Sequence, residues 1–301
     1  MTASPSAPFQ IPATILFATD LSSRCDRALD RSLMLAKQWG AHLVALTVVE
    51  PGDHFNPVSM DALGGTGAAP RDRALRLAEQ RLRADLAVDD LPLSTRVAKG
   101  PVTEAILAAC DAEAAGMVVT GVARNEALSR VVLGSSVDAL ARRAPVPLLV
   151  VRSRARVPYR EVVVASDFSP SSRRALETAA VLFPEAGFTL FHAFGNPYPT
   201  LAGMSAAQAR SDGYELAQNE ATAFLQTCEL PPEVRDRMQL ALAYGDAGEL
   251  LRLRGATRPS DLVVLGSERR RGLVGWLIGS VAQRILEQAE NDVLLVPTIP
   301  A

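Results

Sequence analysis

Cysteine and histidine are scarce in this 301-residue chain, three of each, and tryptophan occurs only twice. Cys25, Cys110 and Cys228 are odd in number, far apart and without a C-x-x-C spacing, which argues against a disulfide framework or a zinc site. They read as buried thiols in a reducing cytosol. His42, His54 and His192 are scattered, so no metal site is evident and neither Ser135 nor Ser280 has a repeated His and acid partner. An excess of charge is missing as well. The formal net charge is −2 with a pI near 6.0, which withholds the electrostatic footprint of a nucleic-acid binder. No apolar run approaches the length of a membrane span, and Met1 to Pro12 carries three prolines and no basic residue before an apolar run, unlike a secretory signal. The expected location is the cytoplasm, with neither nucleic acid nor membrane as partner. Catalytic signatures are also absent: there is no Walker A sequence, no G-x-S-x-G elbow, and no lysine after Gly64-Gly65-Thr66-Gly67.

What the chain does have is one βα pattern written twice. Ile15 to Asp20 (ILFATD) returns as Val162 to Asp167 (VVVASD), and the span from Gly121 to Gly134-Ser135 returns as Gly266 to Gly279-Ser280. The register drifts by two residues only, and each copy is the size of a domain, so the pattern implies two tandem globular domains of one type. The expected limits are 1–153 and 158–301, with the boundary where Arg152, Arg154 and Arg156 interrupt the apolar pattern before Pro158. A 48% hydrophobic content is ample for a core in each half.

Short apolar runs alternate with longer helical stretches in both halves, the sign of parallel βαβ units. The first half predicts strands at Thr14–Asp20, Leu43–Val49, Ser94–Ala98, Met117–Gly121 and Leu148–Val151. The second predicts them at Val162–Asp167, Thr189–Phe194, Gln239–Tyr244, Leu262–Gly266 and Val293–Val296. Helices are expected after a Ser22 or Ser23 cap, from the Ser169-Pro170 pair, and over Arg71–Leu86 and Tyr214–Cys228, with mobile loops at Pro51–Pro70 and Gly195–Gly213. The fold class is α/β: two tandem Rossmann-like domains, each a five-stranded, mostly parallel open sheet with helices on both faces. The final strands, Val146–Val151 and Val293–Val296, are apolar and edge-like.

In such sheets a ligand sits outside the carboxyl ends of the strands, where strand order reverses. Three repeated features map there. Asp20 and Asp167 close strand one and could accept hydrogen bonds from a ribose or an adenine amino group, or serve only as turn residues. Gly121 and Gly266 close strand four. Gly134-Ser135-Ser136 and Gly279-Ser280-Val281 open the next helix, whose free N–H groups and positive dipole end suit a phosphate.

These residues resemble the universal stress protein family, whose ATP-binding members carry Gly, two residues, Gly, nine residues, then Gly followed by Ser or Thr. The resemblance covers essentially the whole chain, twice. It implies an adenine nucleotide, ATP with Mg²⁺, held by Asp20, Val48, Gly121, Gly134, Ser135 and Ser136 in one half, and by Asp167, Ala193, Gly266, Gly279, Ser280 and Val281 in the other. It implies also that the last strands pair the two domains into an internal pseudo-dimer, and leaves open a further homodimer. One departure is systematic: the second motif glycine is Arg124 in one copy and Arg269 in the other. An arginine there either obstructs the approach of bare backbone to phosphate or supplies a cation for it. The resulting expectation is a nucleotide-responsive stress or signalling module without dedicated catalysis, any ATP hydrolysis being slow. The alternative is a relative that binds no nucleotide and acts as a dimerising interaction module.

Overall fold

A computed structural model describes residues 9–50, 70–86, 91–122, 124–125, 130–131, 134–195, 206–257, 262–268 and 279–298. The first half contributes β1 (Thr14–Thr19), α1 (Asp26–Trp39), β2 (His42–Val49), α2 (Pro70–Asp85), β3 (Leu93–Lys99), α3 (Val102–Ala112), β4 (Met117–Gly121), a two-stranded ribbon of β5 (Arg124–Asn125) and β6 (Arg130–Val131), α4 (Ser135–Arg143) and β7 (Leu148–Val151). The second contributes β8 (Glu161–Ala165), α5 (Pro170–Leu182), β9 (Gly187–Phe194), α6 (Ala206–Thr227), α7 (Pro232–Asp236), β10 (Gln239–Tyr244), α8 (Ala247–Thr257), β11 (Leu262–Glu268), α9 (Ser280–Gln288) and β12 (Asp292–Thr298).

All ten predicted strands are present, and they form one continuous sheet in the order β10-β9-β8-β11-β12-β7-β4-β1-β2-β3. Within each half every pairing in this sheet is parallel, and the join between halves is the antiparallel pair β7–β12. Its register sets Leu149 opposite Leu294, the residue that occupies the same place in the other copy. That is the mark of a local two-fold axis. The two apolar strands that read as edges therefore cover each other inside one chain.

Alternating residues of each strand feed two apolar layers. One holds Ile15, Phe17, Met117, Val164 and Leu294 against α1, α2, α5 and α6, and the other holds Leu16, Val44, Val118, Val263 and Leu295 against α3, α4, α8 and α9. Both layers run through both halves. The period of two explains why strands buried on both faces read as continuous apolar runs.

Helix starts depart from expectation in instructive ways. Ser169 caps α5 as predicted, its hydroxyl accepting from the Ser172 N–H at 3.3 Å with Pro170 in the first turn. Ser22 and Ser23 do not cap α1: a 3-10 turn, Ser23–Cys25, intervenes, and no side chain caps either element. The predicted loop Gly195–Gly213 is helical from Ala206 onward, and Gly213 lies inside α6, where a Cβ would stand 3.0 Å from the Phe194 ring. A missing side chain there admits close helix–strand packing. Of the other predicted loop, only Pro70 falls among the described residues, as the first residue of α2.

The halves are locked by a carboxylate that is fully buried. Asp292 Oδ1 accepts from the backbone N–H groups of Arg152 (2.7 Å) and Ser153 (2.8 Å), and Oδ2 accepts from the Tyr159 hydroxyl (2.6 Å). Arg31 of α1 lies 3.6 Å from Oδ2, stacks its guanidinium 3.9 Å from the centre of the Tyr159 ring, and donates to the Val157 carbonyl at 3.0 Å. Arg27 donates to the Arg152 carbonyl at 2.7 Å. One half's helix, the connecting segment and the other half's last strand thus meet on a single acid.

Candidate functional site

Strand order reverses between β2-β1 and β4, and a crevice opens there outside the strand ends. It has a volume of about 200 Å³, and its lining includes Asp20, Val48, Gly121, Gly134 and Ser136 of the expected set. The apolar floor and wall come from Leu46, Ile106, Val137 and Leu140. Thr19, Thr120 and Cys25 add polar atoms that the family-based expectation did not include. Ser135, beside them at the start of α4, is exposed to solvent rather than facing the crevice.

Each wall has a local cause. Gly100 takes φ +123 and turns the chain from β3 into α3, which brings Ile106 to the crevice; Gly245 makes the same turn in the second half at φ +135. At the end of β1, Leu21 adopts φ 58, and Phe168 adopts φ 61 at the equivalent place. Both are left-handed conformations that side chains rarely take. A pair of short hydrogen bonds holds each one. Thr19 Oγ1 accepts from the Leu21 N–H at 3.0 Å, and Ser166 Oγ accepts from the Phe168 N–H at 3.0 Å. Asp20 Oδ1 then accepts from the Ser22 N–H at 2.9 Å, and Asp167 Oδ1 from the Ser169 N–H at 3.1 Å. The signal for this device was present in the repeat, since Thr19-Asp20-Leu21-Ser22 and Ser166-Asp167-Phe168-Ser169 share hydroxyl, acid, apolar and Ser in that order.

Asp20 Oδ1 also collects the Ser22 hydroxyl at 2.6 Å and the Cys25 thiol at 3.2 Å. Burial pushes that thiol up to about 11, and the negative charge of Asp20 adds to the effect. Cys110 and Cys228 are buried as expected, whereas Cys25 is only half-buried and borders the crevice. At neutral pH it is a neutral donor and a poor nucleophile.

On the other wall, α4 begins at Gly134 in extended backbone (φ −62, ψ 147), with no side-chain cap among the described residues. α9 begins in the same way at Gly279 (φ −56, ψ 147). Helix starts of this kind leave their first N–H groups to suit an anion. Gly266 has a packing role of its own: a Cβ there would strike the Ser171 carbonyl and come within 2.9 Å of the Ser172 nitrogen, so the first turn of α5 rests directly on it. Of the two motif arginines, Arg124 has only its backbone described, in the short ribbon with Val131, and Arg269 lies outside the described residues.

The second half repeats the framework with different side chains. Asp167 and Ala193 stand at the ends of their strands, and Ser280 and Val281 are exposed at the start of α9. His192 is half-buried, stacked 4.2 Å from Phe168, with Nδ1 2.8 Å from the Ser166 carbonyl oxygen. It braces the left-handed turn. Among the described residues no group of three or more His, Cys, Asp or Glu could hold a metal, and no helix is long and apolar enough to cross a membrane.

Two doubly wound α/β halves, with a crevice at the switch point of the first, define the architecture, and comparison with known sequences names its kind. The universal stress protein family model matches the chain twice, over residues 13–152 and 158–297. The chain belongs to the universal stress protein family. A universal stress protein of Mycobacterium tuberculosis is 32% identical over 251 residues, covering 74% of each chain. Among solved structures, a putative universal stress protein from Pseudomonas aeruginosa superposes with a TM-score of 0.64 at 21% identity, covering 96% of this chain and 94% of that one. One from Archaeoglobus fulgidus gives 0.63 at 16% identity, covering 95% and 98%. Those two bear on the fold alone.

Proposed function

We propose that this universal stress protein binds an adenine nucleotide at the carboxyl ends of its strands and acts as a nucleotide-responsive module without dedicated catalysis. The observation that carries this reading is the first-half crevice, in which apolar walls, an acid, hydroxyls and an open helix N-terminus converge on one space of about 200 Å³. A planar base suits the wall of Val48, Ile106 and Leu140; Asp20 faces a ribose or the exocyclic amine; and the phosphates extend over Gly134 and Ser136, where helix dipole and free N–H groups favour negative charge. The described residues offer no three-ligand cluster, so Mg²⁺ in this reading rides on the nucleotide phosphates. Its chemistry there is charge neutralisation.

Calorimetric titration of the purified chain with ATP and Mg²⁺, with AMP and buffer as controls, tests the reading. Saturable heat with ATP is expected, together with a rise in Tm. No heat and no thermal shift at millimolar nucleotide would refute it and leave an interaction module as the function. Arg124→Gly then decides the role of the departure, because tighter binding makes the arginine an obstruction and weaker binding makes it a phosphate ligand.

A further inference from the structure

The long sheet ends in two edges, β3 and β10, which are equivalent strands of the two halves and present different chemistry. Aligned on Gly100 and Gly245, the residues Thr95, Arg96, Val97 and Lys99 of β3 correspond to Leu240, Ala241, Leu242 and Tyr244 of β10. Arg96 is exposed and bridged to Glu113, and Lys99 is exposed at the end of the strand. Charges of this kind keep an edge from pairing with another chain. β10, Gln239–Tyr244, has neither a charged residue nor a proline, and among the described residues it pairs with β9 alone. We infer that β10 is the surface on which the chain pairs with a second copy of itself, antiparallel, about a two-fold axis at Leu242.

The Gly245 N–H donates to the Phe194 carbonyl at 3.1 Å, and the bonds of a parallel ladder alternate along a strand, so Leu240, Leu242 and Tyr244 direct their backbone groups away from β9. Their side chains share the α6 face: the Tyr244 ring meets Phe194 and the Arg210 guanidinium, while Ala241 and Ala243 pack into the opposite layer. An axis at Leu242 sets that residue against its own copy and Leu240 against Tyr244 of the second copy, so one apolar row meets the same row. It also brings the end that carries Arg237 beside the end that carries Asp246, whereas an axis at Ala241 would put Asp236 in line with Asp246. Charge therefore favours the first register. Exposed apolar surface gathers at the same end of the sheet, with Leu240 39% exposed on β10 and, on α6, Tyr214 47% and Leu216 60%. The join of β7 with β12 already uses this device, an antiparallel apolar pair about a local two-fold, with Arg142 of α4 donating to Gln283 of α9 at 3.1 Å on one face. At β10 the same symmetry sets α6 beside α6 of the second copy.

Light scattering after size exclusion and sedimentation of the full chain test this. The unmodified chain is expected to be a dimer. Leu242→Lys brings two cations together at the axis and should weaken dimerisation by about a hundredfold or more, with the far-UV circular dichroism of the parent. A matched cysteine pair gives a second readout: residues directly opposite stand about 5.5 Å apart at Cα, within disulfide reach, so mild oxidation should link Leu242→Cys into a covalent dimer and leave Val97→Cys, on the guarded edge, unlinked. A monomeric unmodified chain would assign the edge to a partner of another kind and overturn the inference. A dimer untouched by Leu242→Lys, or equal linking of the two cysteine variants, would overturn it as well.

Discussion

Replacing Asp292 by alanine tests how the two halves are held together. The carboxylate is wholly buried, and it serves two backbone N–H groups, the Tyr159 hydroxyl and the Arg31 guanidinium at once. Alanine takes the carboxylate away from all four. A buried N–H left without an acceptor costs about 1–3 kcal/mol, and a buried cation left without its partner about 3–5 kcal/mol. These costs share atoms and do not add, and water entering the gap recovers some of them, so a loss of about 4–6 kcal/mol is expected. Against a total stability of about 5–15 kcal/mol, that is a large fraction. Asparagine keeps an acceptor for the Arg152 and Ser153 N–H groups but removes the charge, so Asp292→Asn should cost less, about 3 kcal/mol.

The assay is urea unfolding followed by far-UV circular dichroism and by fluorescence, since Trp39 sits at the contact between halves with its Nε1 donating to the Leu182 carbonyl at 3.2 Å. Because Asp292 joins α1, the connecting segment and β12, its loss should also separate the two probes, splitting one transition into two. Adding Arg31→Met to Asp292→Ala removes the stranded charge, and the double variant should be about 2 kcal/mol more stable than the sum of the singles predicts. A loss below about 1 kcal/mol in Asp292→Ala, or strict additivity in the cycle, would refute the reading of this cluster as the lock.

The motif glycines should divide sharply. Gly266→Ala drives a Cβ into the backbone of Ser171 and Ser172 and should cost about 2–3 kcal/mol, whereas Gly279→Ala meets none of the described residues within 4 Å in an ordinary backbone conformation and should change Tm by less than about 2 °C. Ser169→Ala removes the cap of α5 and should cost about 1 kcal/mol in the same urea titration. All three thiols are pushed up to about 11, mainly by burial, and an unfolded thiol titrates near 9. Between those values the folded chain holds protons that the unfolded chain has released, so stability is intact below pH 9 and falls as pH rises to 11. Melting curves across that window should show the fall, and Cys110→Ala should make it shallower.

Much of the architecture was legible because a parallel strand buried on both faces leaves an apolar run that needs no partner to be recognised. Leu148–Val151 and Leu262–Val264 are of this kind, and a period-two division places their side chains in two layers. The ends of elements were less legible. Ser22 looks like a cap, but its N–H and hydroxyl are both drawn to Asp20, so the chain makes a 3-10 turn before α1 begins. Gly213 looks like loop and is helix, because what it faces, the Phe194 ring, is remote in the local pattern. The Asp292 cluster was invisible for the same reason in stronger form. Arg152 reads as the end of a strand at a polar linker, and its backbone and side chain are buried against residues more than a hundred positions away.

The candidate site shows that a residue repeated within one chain can have a structural cause. Asp20 and Asp167 recur, as do the hydroxyls before them and the serines after them, and that recurrence by itself suggests two ligand sites. Yet in both halves the acid's Oδ1 is spent on the N–H two residues ahead, and the preceding hydroxyl on the N–H of a residue in the left-handed region. Leu21 and Phe168 could not hold that conformation cheaply without those bonds. A turn that must form for the chain to leave the sheet and enter a helix accounts for the repeated acid whether or not anything binds beside it. The repeated acid is therefore no argument for a ligand by itself, and the nucleotide reading stands on the space that the first-half crevice encloses.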